Sequence, residues 1–150
     1  MNTRLPFDPH GSLDAALHAT ISHFRAETGT IHVVENGLLV LKAIVGAFPP
    51  PVMDAIRSIP VGKGMAGLAA QRRAPVTACN IQTDASGDVR PGARATGMEG
   101  AIVVPMIDAK EELRGTLGIA NRAARDWSTA EANELIAFGR AIAEAIVQRA

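Results

Sequence analysis

The dipeptide Asn36-Gly37 constrains the fold of this chain more than any other feature. It separates two runs of β-forming residues, 30–35 and 38–46. Asn-Gly favours a type I′ turn, whose two central residues have positive φ angles, and this turn joins neighbouring antiparallel strands. The sequence therefore predicts a sheet that begins with an antiparallel hairpin.

Three further runs add strands to this sheet. Residues 100–107 and 113–121 flank the charged segment 108–112 and predict a second hairpin. Residues 76–79 predict a brief strand. We therefore expect an antiparallel sheet of about five or six strands.

Two longer helices are predicted near the ends of the chain. Ser12 is the expected N-cap of the first helix, whose apolar residues recur at steps of three and four and whose natural end is Gly29. The last helix begins with Ser128 and Glu131 in a capping box, and Trp127 can pack back onto it. This capping box is the sharpest boundary in the sequence.

The middle of the chain predicts shorter elements. Residues 52–58 can form about two helical turns before Pro60, and residues 65–73 indicate another short helix. Residues 84–97 are polar, contain glycine and show no helix or strand period. We call this segment the polar loop and expect it to be mobile.

Length and composition limit the class of protein. A chain of 150 residues has the size of one domain, predicted here as residues 12–150 after an N-terminal extension, 1–11. Fifteen basic and fifteen acidic residues give no net charge, so neither nucleic acid nor a membrane surface is an expected partner. No apolar run approaches the ~18 residues of a membrane span. The lone cysteine, Cys79, suits the reducing cytosol.

Residues 62–67, Gly-Lys-Gly-Met-Ala-Gly, match the dinucleotide-binding pattern G-x-G-x-x-G. That pattern acts after a buried strand of a parallel β-α-β unit, whereas a short helix and residues 59–61 precede it here. A P-loop also fails, because no hydroxyl residue follows Lys63. The glycines are predicted to permit positive φ angles and close packing of the next helix, with a small anion at its N-terminus as the remaining alternative.

Isolated reactive side chains argue against catalysis. Residues 76–80 offer Cys79 neither a base nor a cation, so we expect a small buried side chain there rather than a nucleophile. The histidines show no chelating spacing, and structural or solvated roles are expected for each. They are His10, His18, His23 and His32.

The polar loop and the residues beside it supply the candidate ligand site. Four charged side chains lie together in the loop, where they could gate a pocket and recognise a polar or anionic molecule. The alternative is that they are only solvated. Met98 and Glu99 lead into a strand and can reach beneath the loop. The candidate ligand-binding residues are Cys79, Asp84, Arg90, Arg94, Met98 and Glu99.

The last helix carries apolar residues on two faces. Leu135 and Phe138 belong to the main stripe, while Ile136, Ala143 and Val147 lie on another face. Two apolar faces indicate burial against the sheet and against a partner helix, which predicts a homodimer. One broad core stripe is the alternative.

The order of these features resembles the GAF domain family over about residues 12–148. Three motifs carry the resemblance: the glycine turn 59–67, the strand segment 115–121 that opens with Gly-Thr-Leu-Gly, and the Trp-Ser-x-x-Glu entry 127–131. The resemblance implies an α+β fold with the terminal helices on one face of an antiparallel sheet. It also implies a small-molecule pocket on the other face, under the short helices and the polar loop, and dimerisation through the terminal helices.

Particular branches of that family fit less well. Members that bind cyclic nucleotides carry an Asn-Lys, Phe, Asp-Glu pattern, of which only Asn121 is identical here, although Arg122 and Glu131 could keep its ion pair. Free methionine sulfoxide reductases use several cysteines, whereas this chain has Ala66 at one such place and Cys79 alone. The polar loop also lacks the Cys-His pair that attaches a bilin.

We therefore expect a cytosolic sensory domain that binds a small molecule of unknown class. Its output is expected to pass through a dimer or a separate effector. Two alternatives stay open: a structural dimerisation module without a ligand, and an enzyme like a free methionine sulfoxide reductase, which the single cysteine disfavours. The sequence identifies no cofactor.

Overall fold

One antiparallel sheet forms the centre of the molecule, which is known from a computed structural model that describes residues 4–149. The six strands follow the order β3-β2-β1-β6-β5-β4, and every neighbouring pair is antiparallel. They are β1 (Thr28–Glu35), β2 (Leu38–Val45), β3 (Ser58–Pro60), β4 (Val76–Ala78), β5 (Gly100–Ile107) and β6 (Leu113–Asn121). The predicted α+β fold class is confirmed.

Helices cover both faces of this sheet. The terminal helices pack on one face, and the two short helices and the polar loop lie on the other. The helices are α1 (Leu13–Phe24), α2 (Pro50–Ile56), α3 (Gly64–Arg72), a 3₁₀ helix (Pro91–Thr96) within the polar loop, and α4 (Thr129–Arg149). Between residues 4 and 149, no helix has the combination of length and apolar character that a membrane span requires.

The first hairpin forms as predicted. Asn36 and Gly37 have φ angles of 52° and 78°, the positive values of a type I′ turn. The strand that sequence did not predict is β3, which pairs with β2 through Leu38 and Pro60. A proline is tolerated at this sheet edge because a strand there has one unpaired side. Helix α2 accordingly ends at Ile56, two residues earlier than predicted.

Gly29 does not end α1, contrary to the prediction. The helix ends at Phe24, and Arg25 takes the left-handed conformation with φ 55°. Gly29 lies inside β1, where a Cβ atom would meet the Gly118 carbonyl oxygen at 2.8 Å and the Ile21 Cδ1 atom at 3.0 Å. This glycine therefore permits the close approach of α1 and β6 to β1.

The capping box of α4 is confirmed. The Glu131 N–H donates to Ser128 Oγ at 3.0 Å, and the Ser128 N–H donates to Glu131 Oε1 at 3.0 Å. Trp127 packs against the core, as a residue just outside the cap can. The cap of α1 is also as predicted, because Ser12 Oγ accepts from the Ala15 N–H at 3.0 Å.

The main hydrophobic core lies between the sheet and the terminal helices. Phe138 is its largest fully buried side chain and meets Phe7 and Phe24 edge-on, with ring centroids 5.7 and 5.5 Å apart. Leu5 and Phe7 belong to the predicted N-terminal extension, yet both pack against this core. Leu5 and Phe7 thus hold their part of the extension against the domain by apolar contacts.

The predicted second face of α4 is only partly separate from the core. Ala143 is fully buried in the core, and Ile136 packs at its edge. Val147 is half-buried. Val147 is therefore the position on that face best suited to test a partner helix.

The glycine turn packs α3 closely, as predicted. Gly62 and Gly64 have φ angles of 96° and 67°. Gly67 lies in the first turn of α3, where a Cβ atom would stand 2.5 Å from the Pro60 carbonyl oxygen. The Gly62 N–H also donates to the Gly67 carbonyl at 2.7 Å. The backbone of the glycine turn therefore packs directly against the backbone of α3.

Candidate ligand-binding site

A cavity of about 160 Å³ lies on the sheet face opposite the terminal helices. Strands β1, β5 and β6 form its floor, α2 forms a wall, and residues before, within and after the 3₁₀ helix border it, while the cavity stays open to the surface. The lining residues are Thr28, Gly29, Thr30, Phe48, Val52, Ile56, Ile81, Thr96, Met98, Ala101, Val103, Gly118, Ile119 and Ala120.

Strand register explains why the floor leaves space. Thr28 pairs with Ala120, and Thr30 pairs with Gly118 in the next row. Val103 of β5 continues the second row beside Gly118. Since residues two apart on a strand share a face, alanine and glycine recur where larger side chains would fill the cavity.

The lining is apolar apart from three threonines, and none of the lining residues is ionisable. The Thr96 hydroxyl already donates to the Ala93 carbonyl at 2.8 Å and accepts from the Met98 N–H at 3.1 Å. Thr28 and Thr30 supply the other hydroxyl groups. A charged molecule would lose its hydration here without a charged partner, so the cavity favours an uncharged occupant.

Met98 is the one sequence-predicted site residue among those that line the cavity. Glu99 lies beside it and accepts from Asn80 Nδ2 at 2.9 Å. Asp84 accepts from the Ser86 hydroxyl at 2.6 Å, and the Arg94 guanidinium donates to the Asp84 carbonyl at 3.4 Å. The charged side chains therefore organise the polar loop, and their contact with a ligand stays a prediction.

Arg90 and Asp88 lie on the α3 side of the polar loop. The aliphatic part of the exposed Arg90 side chain lies against Gly64, where a Cβ atom would be 3.1 Å from Arg90 Cδ. The two terminal guanidinium nitrogens of Arg72 donate to the Asp88 carboxylate, at 2.8 and 3.0 Å. The Arg72 guanidinium holds the pKa of Asp88 below its ordinary value. This ion pair ties the loop to α3.

Cys79 is exposed, which corrects the expectation of a buried side chain. It follows β4 and does not line the cavity. A hydrogen bond to the Asp126 side chain raises the pKa of the Cys79 thiol. A raised pKa favours the thiol over the thiolate, which is the nucleophilic form.

Sequence reasoning missed every lining residue except Met98, and the small and hydroxyl residues of the floor are the most informative of these. Thr28 and Thr30 alternate on β1, which was a usable signal for one face of a strand. Their partners Gly118 and Ala120 become part of a site only when the register of β1 and β6 is known.

A family model for the GAF domain matches residues 8–147. This chain belongs to the GAF domain family. Among curated proteins, none matches it. The structure of the GAF domain from a phosphoenolpyruvate-protein phosphotransferase of Coxiella burnetii is similar, with a TM-score of 0.76, 18% identity, and coverage of 94% of this chain and 83% of that one.

Solved enzymes share this GAF fold as well. The free methionine-R-sulfoxide reductase from Neisseria meningitidis, in complex with its substrate, has a TM-score of 0.75 at 20% identity and covers 95% of this chain and 82% of its own. The type II enzyme from Thermoplasma acidophilum has a TM-score of 0.71 at 20% identity, with coverage of 91% and 90%. At such identities the likeness establishes the fold alone.

Arg122 and Glu131, which could have kept the ion pair of the cyclic-nucleotide pattern, do not pair with each other in this GAF domain. Arg122 pairs with Glu27 at 3.1 Å on the surface. Glu131 pairs with Arg125 instead, at 2.6 Å. The Arg125 guanidinium also donates to the Phe24 carbonyl at 2.7 Å. Arg125 therefore connects the end of α1 with the start of α4.

Proposed function

We propose that this GAF domain is a sensory module that binds a small, uncharged and largely apolar molecule without transforming it. The cavity of about 160 Å³ is the observation that carries the proposal, because its lining is apolar apart from Thr28, Thr30 and Thr96. Such a lining selects its occupant by shape and by a few hydrogen bonds.

The size of the cavity limits the ligand. An apolar cavity of about 150 Å³ holds benzene, whereas drug-sized ligands occupy roughly 300 to 1,000 Å³. We therefore expect the part of the ligand inside the cavity to contain on the order of six to ten non-hydrogen atoms. In this proposal Met98 contacts the ligand, while Asp84, Arg90 and Arg94 control access from the surface of the polar loop.

The proposed output runs through the terminal helices. Val147 is half-buried on the predicted second face of α4, which suits contact with a second copy of the chain. Binding in the cavity would then bias a homodimer or a separate effector in the cytosol.

Native mass spectrometry of freshly purified protein, followed by a thermal-shift screen of small uncharged molecules, tests ligand binding. A bound ligand should raise the melting temperature, and the rise should keep growing with the logarithm of the ligand concentration once this exceeds Kd. Val103→Phe places a ring into the cavity and should abolish that shift. Thr77→Phe, the same ring at an exposed strand position, should leave it intact. Equal shifts in the two variants would contradict binding in this cavity.

Experiments on the same purified protein also test two alternative functions. A structural dimerisation module would show a stable dimer and no stabilising ligand across the screen. The similarity to free methionine-R-sulfoxide reductases raises an enzymatic alternative. Thiol-dependent turnover of methionine sulfoxide that is lost in Cys79→Ser would establish it, and absence of turnover in the wild type would remove it.

A further inference from the structure

Two buried polar atoms beside the cavity have no hydrogen-bond partner within residues 4–149. They are His32 Nδ1 and Thr116 Oγ1, and both residues are only 1% exposed. His32 and Thr116 pair directly across β1 and β6. This pairing places their Cβ atoms about 5 Å apart on the same face of the sheet. Because an unsatisfied buried polar atom is costly, the two atoms require a partner.

The protonation of His32 defines what that partner is. His32 Nε2 donates to the Ile56 carbonyl at 2.8 Å. Burial lowers the pKa of His32, so the ring is neutral and Nδ1 is an acceptor. Thr116 Oγ1 can donate a hydrogen as well as accept one. A hydroxyl group between them satisfies both atoms, since it donates to Nδ1 and accepts from Oγ1.

The pair continues the cavity floor. His32 and Thr116 follow Thr30 and Gly118 by one row on the same face, roughly 7 Å along the strands. Ile56 links the two rows, because it lines the cavity and its carbonyl oxygen accepts from His32 Nε2. The polar pair therefore lies at the α2 end of an otherwise apolar cavity, one row beyond the residues of β1 and β6 that line it.

We propose that His32 Nδ1 and Thr116 Oγ1 bind a single hydroxyl group at this end of the cavity. The hydroxyl belongs to the ligand or to a buried water molecule, which offer the same chemistry. In its ligand form the inference rests on the proposed function and narrows the ligand to a small apolar molecule with one hydroxyl group. Phenol is a suitable probe, and benzene has the same ring without the hydroxyl.

A crystal structure that resolves water molecules, determined without a ligand and with phenol, tests the site directly. An oxygen atom of water or of phenol within hydrogen-bond distance of both His32 Nδ1 and Thr116 Oγ1 supports the proposal. A direct Nδ1 to Oγ1 contact within about 3.2 Å would satisfy both atoms without a third group and would overturn it.

Calorimetric affinities distinguish the two sources of the hydroxyl. If the ligand supplies it, phenol should bind about fivefold more tightly than benzene. Thr116→Val, which keeps the shape and removes one of the two hydrogen bonds, should reduce that preference, and Thr77→Val at an exposed strand position should not. Equal affinities together with a water held by both atoms support the water source.

Failure of this inference is distinguishable from failure of the proposed function. If neither probe and no molecule of the thermal-shift screen binds but the water is present, the proposed ligand function is contradicted and the hydroxyl site stands. If probes bind while no oxygen atom contacts both side chains, the hydroxyl site is wrong and the ligand function stands.

Discussion

Replacing Gly67 with alanine tests whether the glycine turn is a packing device. Alanine improves helix propensity by about 1 kcal/mol. Its Cβ atom would, however, stand 2.5 Å from the Pro60 carbonyl oxygen, where ordinary van der Waals contact begins at 3.4 Å. The oxygen belongs to the backbone, so α3 or β3 must shift, and overpacking of this kind costs about 1 to 3 kcal/mol. Real Cβ atoms essentially never approach another atom within 3.0 Å, so the cost should lie in the upper half of that range, about 2 to 3 kcal/mol. After the gain in helix propensity, the net loss is about 1 to 2 kcal/mol.

Urea denaturation measures this loss. The midpoint should fall by roughly 0.5 to 1 M while the m value stays constant, because the exposed surface is unchanged. Gly92→Ala is the matched control, since no neighbouring atom lies within 4 Å of its Cβ position. That control should be neutral or more stable by up to about 1 kcal/mol. A Gly67→Ala protein as stable as the wild type would refute the packing argument.

Three further predictions use the same stability assays and light scattering. Burial holds the pKa of His32 below its ordinary value of 6.5. As the pH falls, His32 is therefore protonated in the unfolded chain before it is protonated in the folded protein. Below pH 6.5 the free energy of unfolding should then fall by up to about 1.4 kcal/mol per pH unit, and His32→Gln should remove this pH dependence. Arg125→Met should lower the free energy of unfolding by about 2 kcal/mol, because the Phe24 carbonyl, Asn121 and Glu131 lose a charged donor. Arg122→Met, on the surface, should change it by less than about 0.5 kcal/mol. The wild type should scatter light as a dimer and Val147→Glu as a folded monomer, and a dimer in both would count against the α4 interface.

Local chemistry was predictable from the sequence. Asn36 and Gly37 adopt positive φ angles because those residues tolerate them, and no distant contact is needed. Ser128 and Glu131 likewise exchange hydrogen bonds within one helical turn. All interactions that form each of these motifs lie within a few consecutive residues, so the sequence pattern was sufficient to predict them.

Long-range contacts were not predictable in this way. Gly29 has the local appearance of a helix stop, yet its role follows from Ile21 and Gly118, which approach it from α1 and β6. The floor of the cavity likewise depends on the register between Thr30 and Gly118. The charged residues of the polar loop made it the predicted site, whereas the small residues that leave space for an apolar cavity have no local sequence pattern.

Arg125 shows how such long-range contacts link the cavity to the terminal helices. Its backbone N–H donates to the Cys79 carbonyl at 2.9 Å, while its guanidinium holds Phe24 in α1 and Glu131 in α4. Two residues after Cys79, the N–H of Ile81 donates to the Glu99 carbonyl at 2.6 Å, and Ile81 lines the cavity. A ligand that displaces Ile81 therefore acts on a short, hydrogen-bonded segment anchored at the junction of α1 and α4. Since the terminal helices are the proposed output, Arg125→Met should weaken the effect of a bound ligand on dimerisation while leaving its affinity for the cavity unchanged.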